Sequence, residues 1–371
     1  MAFRGSPAAM SRSHVQILLF LAAVIALGAV LAPPLFWSGK WLAGIIVSFK
    51  QTETPVIGWI GHKLTSHQFD SYYNRAFLLS ALGLLWPFLK WMRLSGDNRG
   101  LEKNPAPARD ALTGFVLAAG FLALLTALLH GIGAYAMEEK INLAGILTHA
   151  VLSGMGAALL EEWLFRGVFL GVALRSSRPW IAIVLVSALF SILHLIKAPD
   201  VLVAEPQQRE AALTVLRGPD WPYLADTLRT QPGKSDWMIA SEYKPFAYSR
   251  IRWDSGLQMT AAIFQRTVEP ARFFPEFLTL FAIGVILARA RCATRSLWLP
   301  IGLHAGWIFS NALCSGMTKT SAALDAGGYQ LAAGSARIPW IGPELKIGLL
   351  PLITLLITAA ALEWWLRRRT R

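Results

Sequence analysis

Apolar residues in this chain gather into long unbroken runs instead of recurring as the one-sided stripe of a surface helix. A helix needs about 20 residues to cross roughly 30 Å of hydrocarbon. Apolar windows on that scale fall near 15–36, 76–92, 112–132 and 143–174, then near 179–196, 273–290, 296–314 and 345–366. The pattern predicts an all-α polytopic membrane protein with about eight transmembrane helices. One stretch breaks it. Residues 197–272 are polar and too long for a plain connection. Their aromatic anchors Trp221, Tyr223, Trp237, Tyr243, Phe246 and Trp253 predict a small folded cap, since disordered linkers lack such residues. The expected organisation is therefore five helices in 1–196, a cap insertion over 197–272, and three helices in 273–371 that complete the membrane domain. A second segment outside the spans, 37–75, carries His62, His67, Tyr72 and Tyr73 and is expected beside the cap.

Charge orients this arrangement. Eight spans put both termini on one side. That side receives Arg4 and Arg12, then Arg93, Arg99, Lys103 and Arg109, then Arg175 and Arg178, then Arg289, Arg291 and Arg295, and finally Arg367, Arg368, Arg369 and Arg371. By the positive-inside rule it is the cytoplasm, and the cap is extracytoplasmic. The cap holds ten Lys or Arg of its own, but a loop of that length crosses largely regardless of its charge. The net charge of +13 flanks spans instead of forming a stripe with interleaved aromatics, which argues for anionic lipid headgroups as the partner and against nucleic acid. Of the 15 Trp residues, Trp37, Trp41, Trp91, Trp298 and Trp364 stand near span ends, as interfacial rings do. The first run is read as a retained helix and not a cleaved leader, because it is long, contains Pro33-Pro34 and lacks a small-x-small site. Cys292 and Cys314 are expected on opposite faces of the membrane and unpaired.

Within the fourth run stand two adjacent acids, Glu161 and Glu162, followed by Arg166. An ionised carboxylate at bilayer depth costs a few kcal/mol even on permissive insertion scales, so acids there tend to be functional. On a helix Glu162 and Arg166 share a face and can pair, while Glu161 points about 100° away. That division predicts two roles: a neutralised, oriented Glu162, and a Glu161 left to activate water or share a proton. The next span carries Phe190 and His194 on one face. Counted at 1.5 Å per residue, Glu161 lies roughly 21 Å in from Arg175 and His194 roughly 24 Å in from Arg178, so those two can meet. His304 lies roughly 13 Å in from Arg295, about two turns shallower, a gap that tilt would have to close. His130 and His149 have no acidic partner at helical spacing and are read as structural.

Three of these clusters resemble, in order, the motifs of the CAAX protease and bacteriocin-processing enzyme (CPBP) family of intramembrane proteases. EExxxR stands as Glu161-Glu162-Trp163-Leu164-Phe165-Arg166, and FxxxH as Phe190-Ser191-Ile192-Leu193-His194. The third motif, a His followed four residues later by Asn or Asp, is half matched: His304 is present, but the fourth position after it is Ile308, and Asn311 falls one turn further along. The resemblance covers roughly 112–314, interrupted by 197–272. It implies peptide-bond hydrolysis in or at the edge of the membrane. Glu161 with His194 would deprotonate a water, Arg166 would hold Glu162, and His304 would stabilise the oxyanion, alone or with Trp307 or a backbone amide. Asn311, about 10 Å from His304 along the axis, is the candidate replacement for the missing partner.

No Gly-x-Ser-x-Gly surrounds an intramembrane serine and no Cys neighbours a His, which argues against serine and cysteine nucleophiles. One carboxylate and two histidines could bind Zn²⁺, but His-Glu-x-x-His is absent, and the reading favours a glutamate-activated water with no cofactor. The Ala- and Arg-rich composition points to a bacterial plasma membrane with both termini cytoplasmic, where prenylated substrates are not expected. The expected substrate is a protein or peptide with a membrane-embedded C-terminal tail. Two other classes fit the same residues: a proton-coupled transporter, which would show related halves or broken helices, and an inactive scaffold, suggested by Ile308.

Overall fold

The computed structural model describes residues 7–48, 55–67, 69–92, 103–195, 229–230, 237–238, 251–266, 270–320, 330–333, 336–339 and 348–369. These are overwhelmingly helical. In chain order the helices are α1 (Pro7–Ser48), α2 (Pro55–Ser66), α3 (Phe69–Met92), α4 (Pro107–Gly131), α5 (Leu143–Glu162), α6 (Leu170–Ser176), α7 (Pro179–Leu195), α8 (Ser255–Arg266), α9 (Pro270–Thr294), α10 (Trp298–Met317) and α11 (Leu349–Arg369). A π-helical segment, Trp163–Phe169, joins α5 to α6. The short strands Tyr135–Met137 and Thr318–Thr320 pair antiparallel.

Every apolar window coincides with a helix. Five helical stretches among the described residues are long and apolar enough to cross a membrane: Val15–Ile46, Pro107–Gly131, Leu143–Ser176, Glu276–Thr294 and Leu349–Arg369. Helix α7, with 17 residues, is shorter. The first run also extends further than its hydropathy indicated. Helix α1 continues through Pro33 and Pro34 to Ser48, with the Ser38 hydroxyl donating to the Pro34 carbonyl at 2.7 Å. Helices in hydrocarbon tolerate proline where side chains and neighbouring helices satisfy the freed backbone. Segment 37–75 is consequently the end of α1, α2 and the start of α3. Most of the predicted cap, 197–228, 231–236, 239–250 and 267–269, lies outside the described residues.

The chain divides into two compact units, one of 1–15, 92–195 and 269–371, the other of 16–91 and 196–268. In the first, Leu122, Leu125 and Leu129 of α4, Leu287 and Ala290 of α9, Leu299, Leu303 and Trp307 of α10, and Leu355 and Leu362 of α11 form the core. Helices α4 and α10 meet at glycines. A Cβ on Gly302 would collide with the Ala111 carbonyl, and one on Gly306 would stand 2.6 Å from the Phe115 carbonyl oxygen. Small residues let backbones approach this closely where lipid supplies no hydrophobic drive between helices. His304 sits between those two glycines, so the packing that seats α10 also aims its imidazole. In the second unit Phe36, Phe69, Tyr72 and Tyr73 of α1 and α3 pack with Ile251, Met259 and Ile263.

Candidate active site

Helix α5 begins where Asn142 caps it, its side chain accepting the Gly145 N–H at 3.1 Å, and ends at the two glutamates. There the backbone widens: the Leu170 N–H donates to the Phe165 carbonyl, five residues back. Single π turns inside α-helices mark functional sites often enough to be noted on their own. This one carries Arg166, fully buried with Glu162.

The two acids diverge as their spacing predicted. Arg166 donates through Nη1 to Glu162 Oε1 at 2.8 Å, and its guanidinium lies 4.3 Å from the centre of the Phe190 ring. His304 Nδ1 meets the same Glu162 oxygen at 2.7 Å. Glu161 turns to the other side, where its Oε2 lies 3.0 Å from His194 Nε2 and 3.9 Å from His304 Nε2. His194 Nδ1 in turn donates to the Phe190 carbonyl at 2.8 Å. The structure therefore brings together Glu161, Glu162, Arg166, His194 and His304. The two-turn gap expected for His304 is not there: its ring reaches Glu162 Oε1 at 2.7 Å and lies 3.9 Å from Glu161 Oε2.

Asn311 does not join this cluster by any hydrogen bond among the described residues. Its Oδ1 is buried without a partner, two turns along α10 from His304. His130 is a structural residue as read, with Nδ1 3.0 Å from the Tyr135 carbonyl oxygen. His149 lines a cavity of about 270 Å³ with Asn142, Gly145, Ile146, Ala312 and Gly316, toward the start of α5. Cys292 and Cys314 are free thiols.

Sequence reasoning missed the partner that anchors Arg166 from the far side. Gly284 of α9 accepts from Arg166 Nη2 through its carbonyl at 3.4 Å, and a Cβ there would press on Ser187 of α7 at 2.8 Å. No local signal in α9 announces that contact. The glycines around His304, by contrast, form a Gly-x-x-x-Gly that was legible.

Proton inventory limits what the cluster can do. A carbonyl can only accept, so His194 Nδ1 carries a hydrogen. Its Nε2 then faces a carboxylate oxygen at 3.0 Å, a contact that needs one proton between them. The Glu161–His194 pair thus holds one transferable proton, whichever partner carries it. Glu162 and Arg166 neutralise each other in a fully buried site, as buried charges must. Among the described residues no group of three His, Cys, Asp or Glu is arranged to hold a metal ion.

The molecule is a helical membrane protein with a buried acid, imidazole and guanidinium cluster. Residues 143–310 match the family model described as Type II CAAX prenyl endopeptidase Rce1-like, and over that stretch the chain is a domain of the CPBP family. The family is one of proteases acting on protein or peptide substrates in the membrane, and the match over 143–310 implies that class of activity for this domain. Neither the curated proteins nor the solved structures contain a match.

Proposed function

We propose that the chain is an intramembrane endopeptidase that cuts near the C-terminal tail of a membrane-anchored or exported protein, in a bacterial plasma membrane with both termini cytoplasmic. The observation that carries this reading is the contact of Glu161 with His194, whose other nitrogen is already committed to the Phe190 carbonyl. In the state with the proton on His194, the Glu161 carboxylate is free to take a proton from a water. That water then attacks the scissile carbonyl carbon. The C–N bond of the tetrahedral intermediate breaks as the leaving amine takes a proton from the pair, which returns the pair to its starting inventory.

The oxyanion falls to His304. With Nδ1 facing Glu162, it donates to the oxyanion through Nε2 when that nitrogen bears a hydrogen. Arg166 holds Glu162 in place through its 2.8 Å hydrogen bond. No step passes through a metal, and a chelator should leave cleavage unchanged.

The test compares membrane proteins from cells carrying the wild-type chain or Glu161→Gln, with C-terminal peptides read by mass spectrometry. The expected result is a protein that keeps its tail only in the variant. Identical C-termini defeat the hydrolase reading, an unchanged phenotype points to a scaffold, and lost proton-coupled flux points to a transporter.

A further inference from the structure

We infer that α8, Ser255–Arg266, lies inside the bilayer and presents Trp253, Leu257 and Phe264 to lipid acyl chains, so the last part of the insertion is a membrane-embedded element instead of aqueous cap. The first support is depth. The apolar run of α1, Val15–Ile46, has 32 residues, about 48 Å at helical rise, against a hydrocarbon core of about 30 Å. Wherever the core falls within the run, residues from about 27 to about 35 lie in it. Tilt only adds to that set. Ala29 is in the guaranteed stretch, and α8 rests on it: a Cβ on Gly256 would collide with the Ala29 carbonyl. Ala32, also in the stretch, shares a packed cluster with Ile251, Met259 and Ile263.

The second support is the chemistry of that contact. Ala29 is the residue whose carbonyl a helical N–H at position 33 would normally occupy, and Pro33 has none. A carbonyl left open in hydrocarbon is costly. Gly256 brings its Cα directly against it, the approach from which a Cα–H can point at the oxygen. The third support is the outward face. Trp253, Leu257, Ala261 and Phe264 recur at helical spacing and are exposed, the large ones at 71%, 51% and 45%. From Ser255 to Gln265 no residue is charged. On the protein side the Thr260 hydroxyl donates to the Gly256 carbonyl at 2.8 Å and pairs with the Tyr73 hydroxyl at 2.8 Å, and Gln258 Nε2 donates to Asp254 Oδ2 at 3.0 Å. A helix apolar on both faces, seated at bilayer depth, takes lipid on the free one. Val30 and Leu31 of α1, at the same depth as Ala29, are exposed in the same way.

The experiment places nitroxide labels, one at a time, at Leu257→Cys and Phe264→Cys in the full chain, with Cys292→Ser and Cys314→Ser, reconstituted in lipid nanodiscs. Leu124→Cys, exposed in the middle of α4, and Glu139→Cys, exposed in a loop, supply the lipid and water references. The expected result is broadening by oxygen with loss of broadening by a water-soluble nickel chelate at both positions, as at 124. Nickel broadening equal to that at 139 overturns the inference and returns α8 to an aqueous cap. Spin–spin broadening that disappears on dilution with unlabelled protein also overturns it, since a second copy then covers the face.

Discussion

Around Glu161 the first unit gathers two acids, a guanidinium and two imidazoles, each held by a charged or carbonyl partner at hydrogen-bond distance. The second unit buries rings. Phe20 stacks on Phe88 at 4.4 Å, Tyr73 lies 4.5 Å from Phe77, and Phe36 meets Tyr72 edge-on at 5.4 Å. Its one fully enclosed cation among the described residues, Lys40, donates to the Thr65 and His67 carbonyls beside the Phe36 and Tyr72 rings. The difference lies in tolerance. A charged network fails when one member leaves, because the remaining charge is stranded in low dielectric. Aromatic packing loses contact area in proportion to what is removed and can repack.

The sharpest way to break this contrast is Arg166→Met. Glu162 would then be buried with only His304 against it, and the domain should lose about 3–5 kcal/mol together with all cleavage, read as a fall in detergent melting temperature and an uncut substrate. His304→Ala should cost about 10²–10³-fold in turnover, the usual loss of an oxyanion donor. His304→Gln, which can still donate, should recover part of it; equal loss in both would mean His304 acts through its proton and not its hydrogen bond.

Gly302→Val tests the seating of α10. Its side chain meets the Ala111 carbonyl, and overpacking of this kind costs about 1–3 kcal/mol, with turnover falling alongside stability because His304 moves with the helix. The smallest effect is expected from Phe36→Leu in the second unit, under about 1.5 kcal/mol, with cleavage per folded molecule unchanged. A large loss of activity there would erase the distinction between the two units.

Much of the site could be read from spacing alone. Residues four apart on a helix face one another, so the pairing of Glu162 with Arg166 and the divergence of Glu161 followed from position, and depth counting alone brought His194 to Glu161. The same count failed for His304, whose depth depends on how α10 is seated by Gly302 and Gly306 and not on the distance to the nearest arginine. The widened backbone at Trp163–Phe169 was invisible as well, because hydropathy is indifferent to whether a buried turn holds 3.6 residues or more. Helix α8 was illegible for a related reason. Its two apolar faces are interrupted by Gln258 and Thr260, so its mean composition reads as polar although both flanks are greasy.

By itself, the order of residues determined that this chain lives in a membrane, which runs are helical, and which ionisable groups were too costly to be there by accident, since those follow from solvation and helical periodicity. Only the tertiary structure decided that His304 closes on Glu162, that Gly284 holds Arg166 from behind, and that α8 rests on Ala29. Those contacts join residues 142, 118 and 227 positions apart, and helix packing between distant segments carries no periodic trace along the chain.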